Sequence, residues 1–163
     1  HDLGKATTPA DVLPRHIGHE ERSVRLAEKL CARLKVPVDC RDLASLMARY
    51  HGNIHRSSEL RAATIVGLFE KTDALRRPAR FQQLLDACLC DFTGRLGWED
   101  RPYDSPQRLL AALVAVNAVD AGKIALACSD KSKIPDRVRA ARVAAVKALL
   151  NESGEEPEQQ GKE

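Results

Sequence analysis

Aromatic residues are scarce in this chain: one tryptophan, two tyrosines and three phenylalanines among 163 residues. Strands draw on aromatic and β-branched side chains, so the shortage argues against a sheet. The abundance of Ala, Leu, Arg and Val argues for helices. The five cysteines, Cys31, Cys40, Cys88, Cys90 and Cys128, include no CxxC pair. That removes the usual zinc-ribbon and thioredoxin-type spacings, and an odd count points to reduced, largely buried thiols in a cytoplasmic protein. Charge of one sign is also lacking, since 26 basic against 23 acidic residues leave a net charge of only +3. Contact with nucleic acid would therefore have to come from local patches. No apolar run reads as long enough to cross a membrane, and no signal peptide is recognisable.

What is present is helical periodicity. Residues 1–5 read as the last turn of a helix with Gly4 as its stop, and residues 6–15 as a loop. A helix is expected over 17–35, with Ile17, Val24, Ala27, Leu30, Cys31 and Leu34 on its apolar face. Asp39 is a plausible N-cap for a second helix to about Tyr50, carrying Leu43, Leu46, Met47 and Tyr50, with His51-Gly52-Asn53 as its end. A third begins at Ser58 with Leu60, Thr64, Leu68 and Phe69 as its stripe. A fourth covers 79–92 with Phe81, Leu84, Leu85, Cys88 and Phe92. Residues 94–104 read as irregular, anchored by Trp98. Ser105-Pro106 is a helix start, and another proline-led helix begins near Pro135 with Val138, Arg142, Val146 and Leu149. From Ser153 the chain is polar and reads as a disordered tail. Neither an internal repeat nor a strand is evident.

The residues that carry chemistry lie at the ends of these helices. His1-Asp2 is an adjacent imidazole–carboxylate pair, suited to Mn, Fe, Ni, Zn or Mg according to what completes the shell. A metal so held can acidify a bound water. Lys5 lies near enough to meet a phosphate, and Thr8 could face one from the same loop. His19 follows in Gly18-His19-Glu20, where Glu20 could orient it, and His51 stands at the next helix end. A histidine with a near-neutral pKa suits general acid work. Asp91 ends a further helix, where a carboxylate opposes the helix dipole and a cation would relieve the misfit. Asp73 and Asp86 are its rivals. His16 and His55 read as bland, although His55 lies close enough in sequence to contribute.

The order HDLGK…GHE…H…D, with the phrases HDLGKATTP, RHIGHEERSVRLAEKL, HGNIHR, FEKTDALRRPARFQQLLDACLCDFTGRLG and RPYDSPQRLL, resembles the HD-domain superfamily of metal-dependent phosphohydrolases. Within it, the wording is similar to the C-terminal HD region of the bacterial CCA-adding tRNA nucleotidyltransferases over residues 1 to about 150. The resemblance implies an all-α fold, an HD-domain-like helical bundle over 1–103 followed by further helices over 104–152 and the tail over 153–163. It implies metal ligands at His1, Asp2 and Asp91, catalytic or phosphate-binding roles for Lys5, His19 and His51, and Mg2+ or Ni2+ as the ion. The activities implied are phosphatase, 2′-nucleotidase and 2′,3′-cyclic phosphodiesterase.

The partners implied are the tRNA 3′ end and small phosphate esters, with a homodimer left open, no membrane, and a cytoplasmic location. Such sites also use a histidine well upstream of the HD pair. The chain opens on His and not Met, inside a motif whose helix should extend upstream, and so reads as the C-terminal part of a longer protein. The nucleotidyltransferase half, whose substrates are ATP and CTP, lies outside these residues. Arg49, Arg56, Arg61, Arg76, Arg77, Arg80, Arg95 and Arg101 form a basic middle section that could meet tRNA phosphates or simply be solvated. The alternative to an enzyme is a helical module that docks tRNA or a second subunit around a relic site.

Overall fold

The computed structural model describes residues 1–152 and 154, and among them every regular element is helical. The all-α expectation therefore holds. The elements are a 3-10 helix Leu3–Thr7, α1 (His19–Arg33), α2 (Val38–His55), a 3-10 turn Ser57–Glu59, α3 (Ala62–Thr72), α4 (Pro78–Thr93), α5 (Ser105–Asn117), α6 (Ala121–Ala127), a 3-10 turn Lys131–Lys133 and α7 (Ile134–Glu152). The expected tail, apart from Gly154, lies outside the described residues.

Two compact units form, and they do not follow the chain order. One comprises residues 1–55 and 79–103, the other 56–78 and 104 onward. Residues 1–103 thus fall in both units, and those from 104 onward in the second alone.

In the first unit α1 packs on α2, and the Leu3–Thr7 helix packs on α1. The buried face of α1 is Ser23, Val24, Ala27 and Cys31, whereas Ile17 and Leu34 of the expected stripe are exposed. Two readings change here. Residues 3–7 begin a 3-10 helix with Asp2 as its N-cap; they do not close an α-helix. And α2 does not stop at His51 but continues through Gly52 and Asn53 to His55. A glycine inside a helix costs only about 1 kcal/mol, which the burial of Met47, Ala48, His51 and Ile54 outweighs. The extra turn puts His51 and His55 on one helical face, four residues apart. On α4 the buried stripe is Phe81, Leu84, Leu85 and Cys88, with Phe92 of the expected stripe only half-buried, and the Cys88 thiol lies 3.4 Å from the Met47 sulfur.

In the second unit α3 packs against α7 and α5, and α7 also packs on α5. On α3 the buried residues are Ala62, Ile65, Val66, Leu68, Phe69 and Thr72, while Thr64 of the expected stripe is exposed. Glu70 pairs with Arg139 of α7 at 3.2 Å, and Arg108 of α5 donates to the Ser57 carbonyl at 3.2 Å. By length and composition the run Ser105–Ala127 would suffice to cross a membrane, contrary to the sequence reading. Here it is two helices, with Ala118–Asp120 between them non-helical and the Asp120 carboxylate capping α6 through the Lys123 amide. Among the cysteines, Cys31, Cys88 and Cys128 are buried, but Cys40 and Cys90 are exposed, so burial of the thiols is only partial.

Candidate metal centre

The first unit carries all of the expected site residues: His1, Asp2, Lys5, His19, His51 and Asp91. Gly4 makes their convergence possible. A Cβ there would stand 2.2 Å from the His19 carbonyl oxygen and 2.6 Å from the Ser23 nitrogen, so only glycine permits this close approach to α1. The Gly4 amide donates to the buried Ser23 hydroxyl at 2.9 Å, and Arg22 donates to the Gly4 carbonyl at 3.1 Å. At the other side of the junction Gly18 adopts a left-handed φ of 72°, turning the chain into α1 so that His19 is its first residue. Asp2 is thereby held against His19, and the His1 ring meets that of His51.

Hydrogen bonding fixes the tautomers of two histidines. A carbonyl only accepts, so the Nδ1 of His19, 2.9 Å from the His16 carbonyl, carries a proton, as does the Nδ1 of His51, 3.0 Å from the Met47 carbonyl. In each neutral ring Nε2 then presents a lone pair. Both lone pairs point to one oxygen: Asp2 Oδ1 is 3.4 Å from His19 Nε2 and 3.5 Å from His51 Nε2. Asp2 Oδ1 and His19 Nε2 are buried without a hydrogen-bond partner. Three acceptors facing one another with no donor between them repel unless a cation joins them.

Burial pushes the His51 pKa below the usual histidine value despite its bond to Met47 and the nearby Asp2 charge, which keeps the ring neutral and able to ligate. Burial raises the Asp2 pKa, but the hydrogen bond and charge of Lys5, with His51 and His19, more than offset it, and the net direction is down. The carboxylate is therefore ionised.

The spacing suits a metal ion. One ligand atom each from His1, Asp2 and His51 lies within 4.8 Å of the others. Two ligands on a tetrahedral ion with bonds of about 2.1 Å stand about 3.4 Å apart. His1 Nε2 is 3.5 Å from Asp2 Oδ2 and also 3.5 Å from Asp91 Oδ1, so Asp91 comes to the same cluster from the end of α4. Its rivals are elsewhere engaged. Asp73 pairs with Arg76 at 2.7 Å, and Asp86 accepts from Gln82 at 2.8 Å.

Lys5 Nζ lies 2.5 Å from Asp2 Oδ2, at the edge of the cluster. Thr8, expected to face a phosphate, is instead committed internally. Its hydroxyl contacts the Lys5 carbonyl at 2.8 Å, His16 Nδ1 at 2.7 Å and Arg22 at 3.1 Å. Glu20 Oε2 is 3.5 Å from His19 Nδ1, beside the stronger bond to His16. Three further residues adjoin the cluster, of which the sequence offers only His55, as a residue close enough to contribute. His55 Nε2 is 2.7 Å from Asp91 Oδ2, Tyr103 hydroxyl is 2.9 Å from His55 Nδ1, and Arg95 donates to Asp91 Oδ2 at 3.0 Å. The four-residue spacing of His51 and His55 was the available signal. It was masked by reading Gly52-Asn53 as a helix end.

Fold and site together define an all-helical protein whose imidazoles and carboxylates, drawn from four separate segments, converge on a gap of the size a cation fills. No family model and no solved structure matches the chain. Curated relatives do. A multifunctional CCA protein of Dechloromonas aromatica is 76% identical over 160 residues, covering 98% of this chain and 39% of the relative. Proteins of the same name from Cupriavidus necator and Burkholderia ambifaria are 62% and 59% identical over 151 residues, covering 92% of this chain and 37% of each relative. The chain is similar to multifunctional CCA proteins over nearly all of its own length, and it spans little more than a third of the length of those it matches.

Proposed function

We propose that the first unit is an HD-type metal-dependent phosphohydrolase domain within a CCA-adding tRNA nucleotidyltransferase. It would act as phosphatase, 2′-nucleotidase and 2′,3′-cyclic phosphodiesterase on the 3′ ends of tRNA and on small phosphate esters, in the cytoplasm. The observation that carries the reading is the unsatisfied acceptor group of Asp2 Oδ1 and His19 Nε2, with His51 Nε2 beside it. Residues of this type suit Ni2+ or Mg2+ with differing preference, imidazole favouring the former and carboxylate the latter.

His1, Asp2, His51 and Asp91 would hold the ion. When bound, it would supply positive charge to phosphoryl oxygens and acidify water. The protein's own residues do the rest. His19 lies beside Asp2 with its Nδ1 proton fixed on the His16 carbonyl, so its Nε2, which bears the lone pair, is the atom that would take a proton from water and pass it to a departing ribose oxygen. Lys5, whose Nζ lies 2.5 Å from Asp2 Oδ2, would receive a phosphate oxygen.

The test uses the intact protein. His1→Ala and Asp2→Ala should each lower Ni2+-dependent hydrolysis of p-nitrophenyl phosphate and of a 2′,3′-cyclic nucleotide by about a hundred- to a thousandfold, the range lost when a charge-stabilising group is removed. CCA addition to tRNA should persist. Hydrolysis retained in both variants would remove the site assignment. Absence of any metal-dependent hydrolysis in the unaltered protein would favour the docking-module reading.

A further inference from the structure

We infer that His55 and Tyr103 are positioning residues for Asp91, forming a phenol–imidazole–carboxylate chain that turns one Asp91 oxygen away from the metal centre and the other toward it. The inference rests on the proposed metal centre and adds two residues to it.

The hydrogen bonds admit one simple assignment. A carboxylate only accepts, so His55 Nε2, 2.7 Å from Asp91 Oδ2, carries the proton. The neutral ring then has its lone pair on Nδ1, and the Tyr103 hydroxyl, 2.9 Å away, donates to it. No additional proton is required. Arg95 donates to the same Asp91 oxygen at 3.0 Å. Two donors thus converge on Oδ2, while Oδ1 is the oxygen 3.5 Å from His1 Nε2. A carboxylate at a helix end can rotate about its last torsion; held this way it presents a single, fixed oxygen to the cluster.

Tyr103 is itself fixed from the neighbouring residue. Its ring stacks on Phe92, the residue after Asp91, with centroids 4.4 Å apart and planes 19° from parallel. Phe92 also meets Trp98 edge-on at 4.9 Å. The irregular segment after α4 therefore folds back on the helix end it left, bringing the phenol to His55. The whole chain is largely shielded: His55 and Asp91 side chains are 16% and 18% exposed. An outer hydrogen bond of this kind orients a ligand, and its removal commonly weakens metal binding by about 10- to 100-fold.

The experiment measures Co2+ and Ni2+ affinity, the visible Co2+ spectrum, and the histidine 15N shifts of the metal-free intact protein. Tyr103→Phe should weaken Co2+ binding several-fold and His55→Ala about 10- to 100-fold. His55→Gln, which keeps a donor at about the same reach, should recover most of the loss. The Co2+ band positions should stay unchanged in all three variants, because none loses an ion ligand. His55 should show a protonated Nε2 and an unprotonated Nδ1, and the unfolding temperature in EDTA should stay within a few degrees of the parent.

A His55 protonated at Nδ1, a Co2+ spectrum altered by His55→Gln, or parent-like affinity in both Tyr103→Phe and His55→Ala would overturn the inference alone. Failure of the unaltered protein to bind Co2+ or Ni2+ at this site would overturn the metal centre, and the inference with it.

Discussion

Cys88 shows how one buried atom carries a pH dependence. Burial, with a smaller contribution from the Asp91 charge, pushes its thiol up to about 12 from an ordinary value of 9.0. The folded chain therefore holds this proton at pH values where the unfolded chain has released it. Stability from this group is fully present below about pH 9 and declines as pH rises toward 12. Two measurements follow. At pH 8 a thiol reagent should modify exposed Cys40 and Cys90 in the native protein and reach Cys88 only on unfolding. Between pH 9 and 11, Cys88→Ala should show a shallower fall in unfolding free energy than the parent, despite a lower starting value from the lost Met47 contact. Equal slopes would show that Cys88 is not held as the thiol.

Residue types at the site were largely legible beforehand. His1, Asp2, Lys5, His19 and His51 stand out because ligand-type residues recur at helix ends in a recognisable order. The structure brings Asp91 to them, as that order implies. What sequence could not supply was each residue's partner. Lys5 sits on Asp2, His19 and His51 share one oxygen, and Tyr103 reaches back to His55. Those are tertiary facts, set by how Gly4 and Phe92 allow the chain to close on itself.

At the scale of the element, the informative case is the 3-10 helix Leu3–Thr7, because His1 and Asp2 lead directly into it and it buries only Gly4. Its attachment is polar and geometric. The Gly4 amide meets Ser23 and its carbonyl meets Arg22, and the absence of a Cβ lets both happen. Ser23→Ala would strand a buried amide at a cost of about 1–3 kcal/mol. Gly4→Ala would force the two backbones apart, for about 1–3 kcal/mol. Since this attachment positions two candidate ligands, each substitution should weaken Ni2+ binding by about tenfold or more, without touching a ligand, if even about 1.4 kcal/mol reaches the site. Calorimetric titration checks this; unchanged affinity with a lowered unfolding temperature would mean that the two ligands do not depend on the helix.

Gly4 also shows where pattern reading fails. A glycine after a short apolar residue has the look of a C-cap, and nothing local announces that another backbone lies against it. The end of α2 escapes the sequence for the same reason: Ile54 is fully buried, and that burial, not local propensity, carries the helix past Gly52-Asn53.

At the scale of the whole molecule, the order of the chain and the order of its packing disagree. The chain passes from one compact unit to the other after His55, returns after Pro78, and leaves again after Tyr103. A cut after Tyr103, the natural place to divide the sequence, keeps every candidate site residue but deprives α3 of both α5 and α7. Ile65, Val66, Leu68 and Phe69, each at most 4% exposed in the full chain, would lose those neighbours, along with the Glu70–Arg139 pair.

Burial of side chains of this size is worth about 1.5–3 kcal/mol each, so four represent roughly 6–12 kcal/mol, comparable with the roughly 5–15 kcal/mol that stabilises a domain. A fragment of residues 1–103 should therefore bind a hydrophobic dye, aggregate readily, and be cleaved first by protease within 56–78. Restoring residues 104–152, covalently or as a separate peptide, should suppress all three. A 1–103 fragment that is monomeric, dye-silent and protease-resistant across 56–78 would mean that α3 finds its cover within the first 103 residues, and the interleaved arrangement would be wrong.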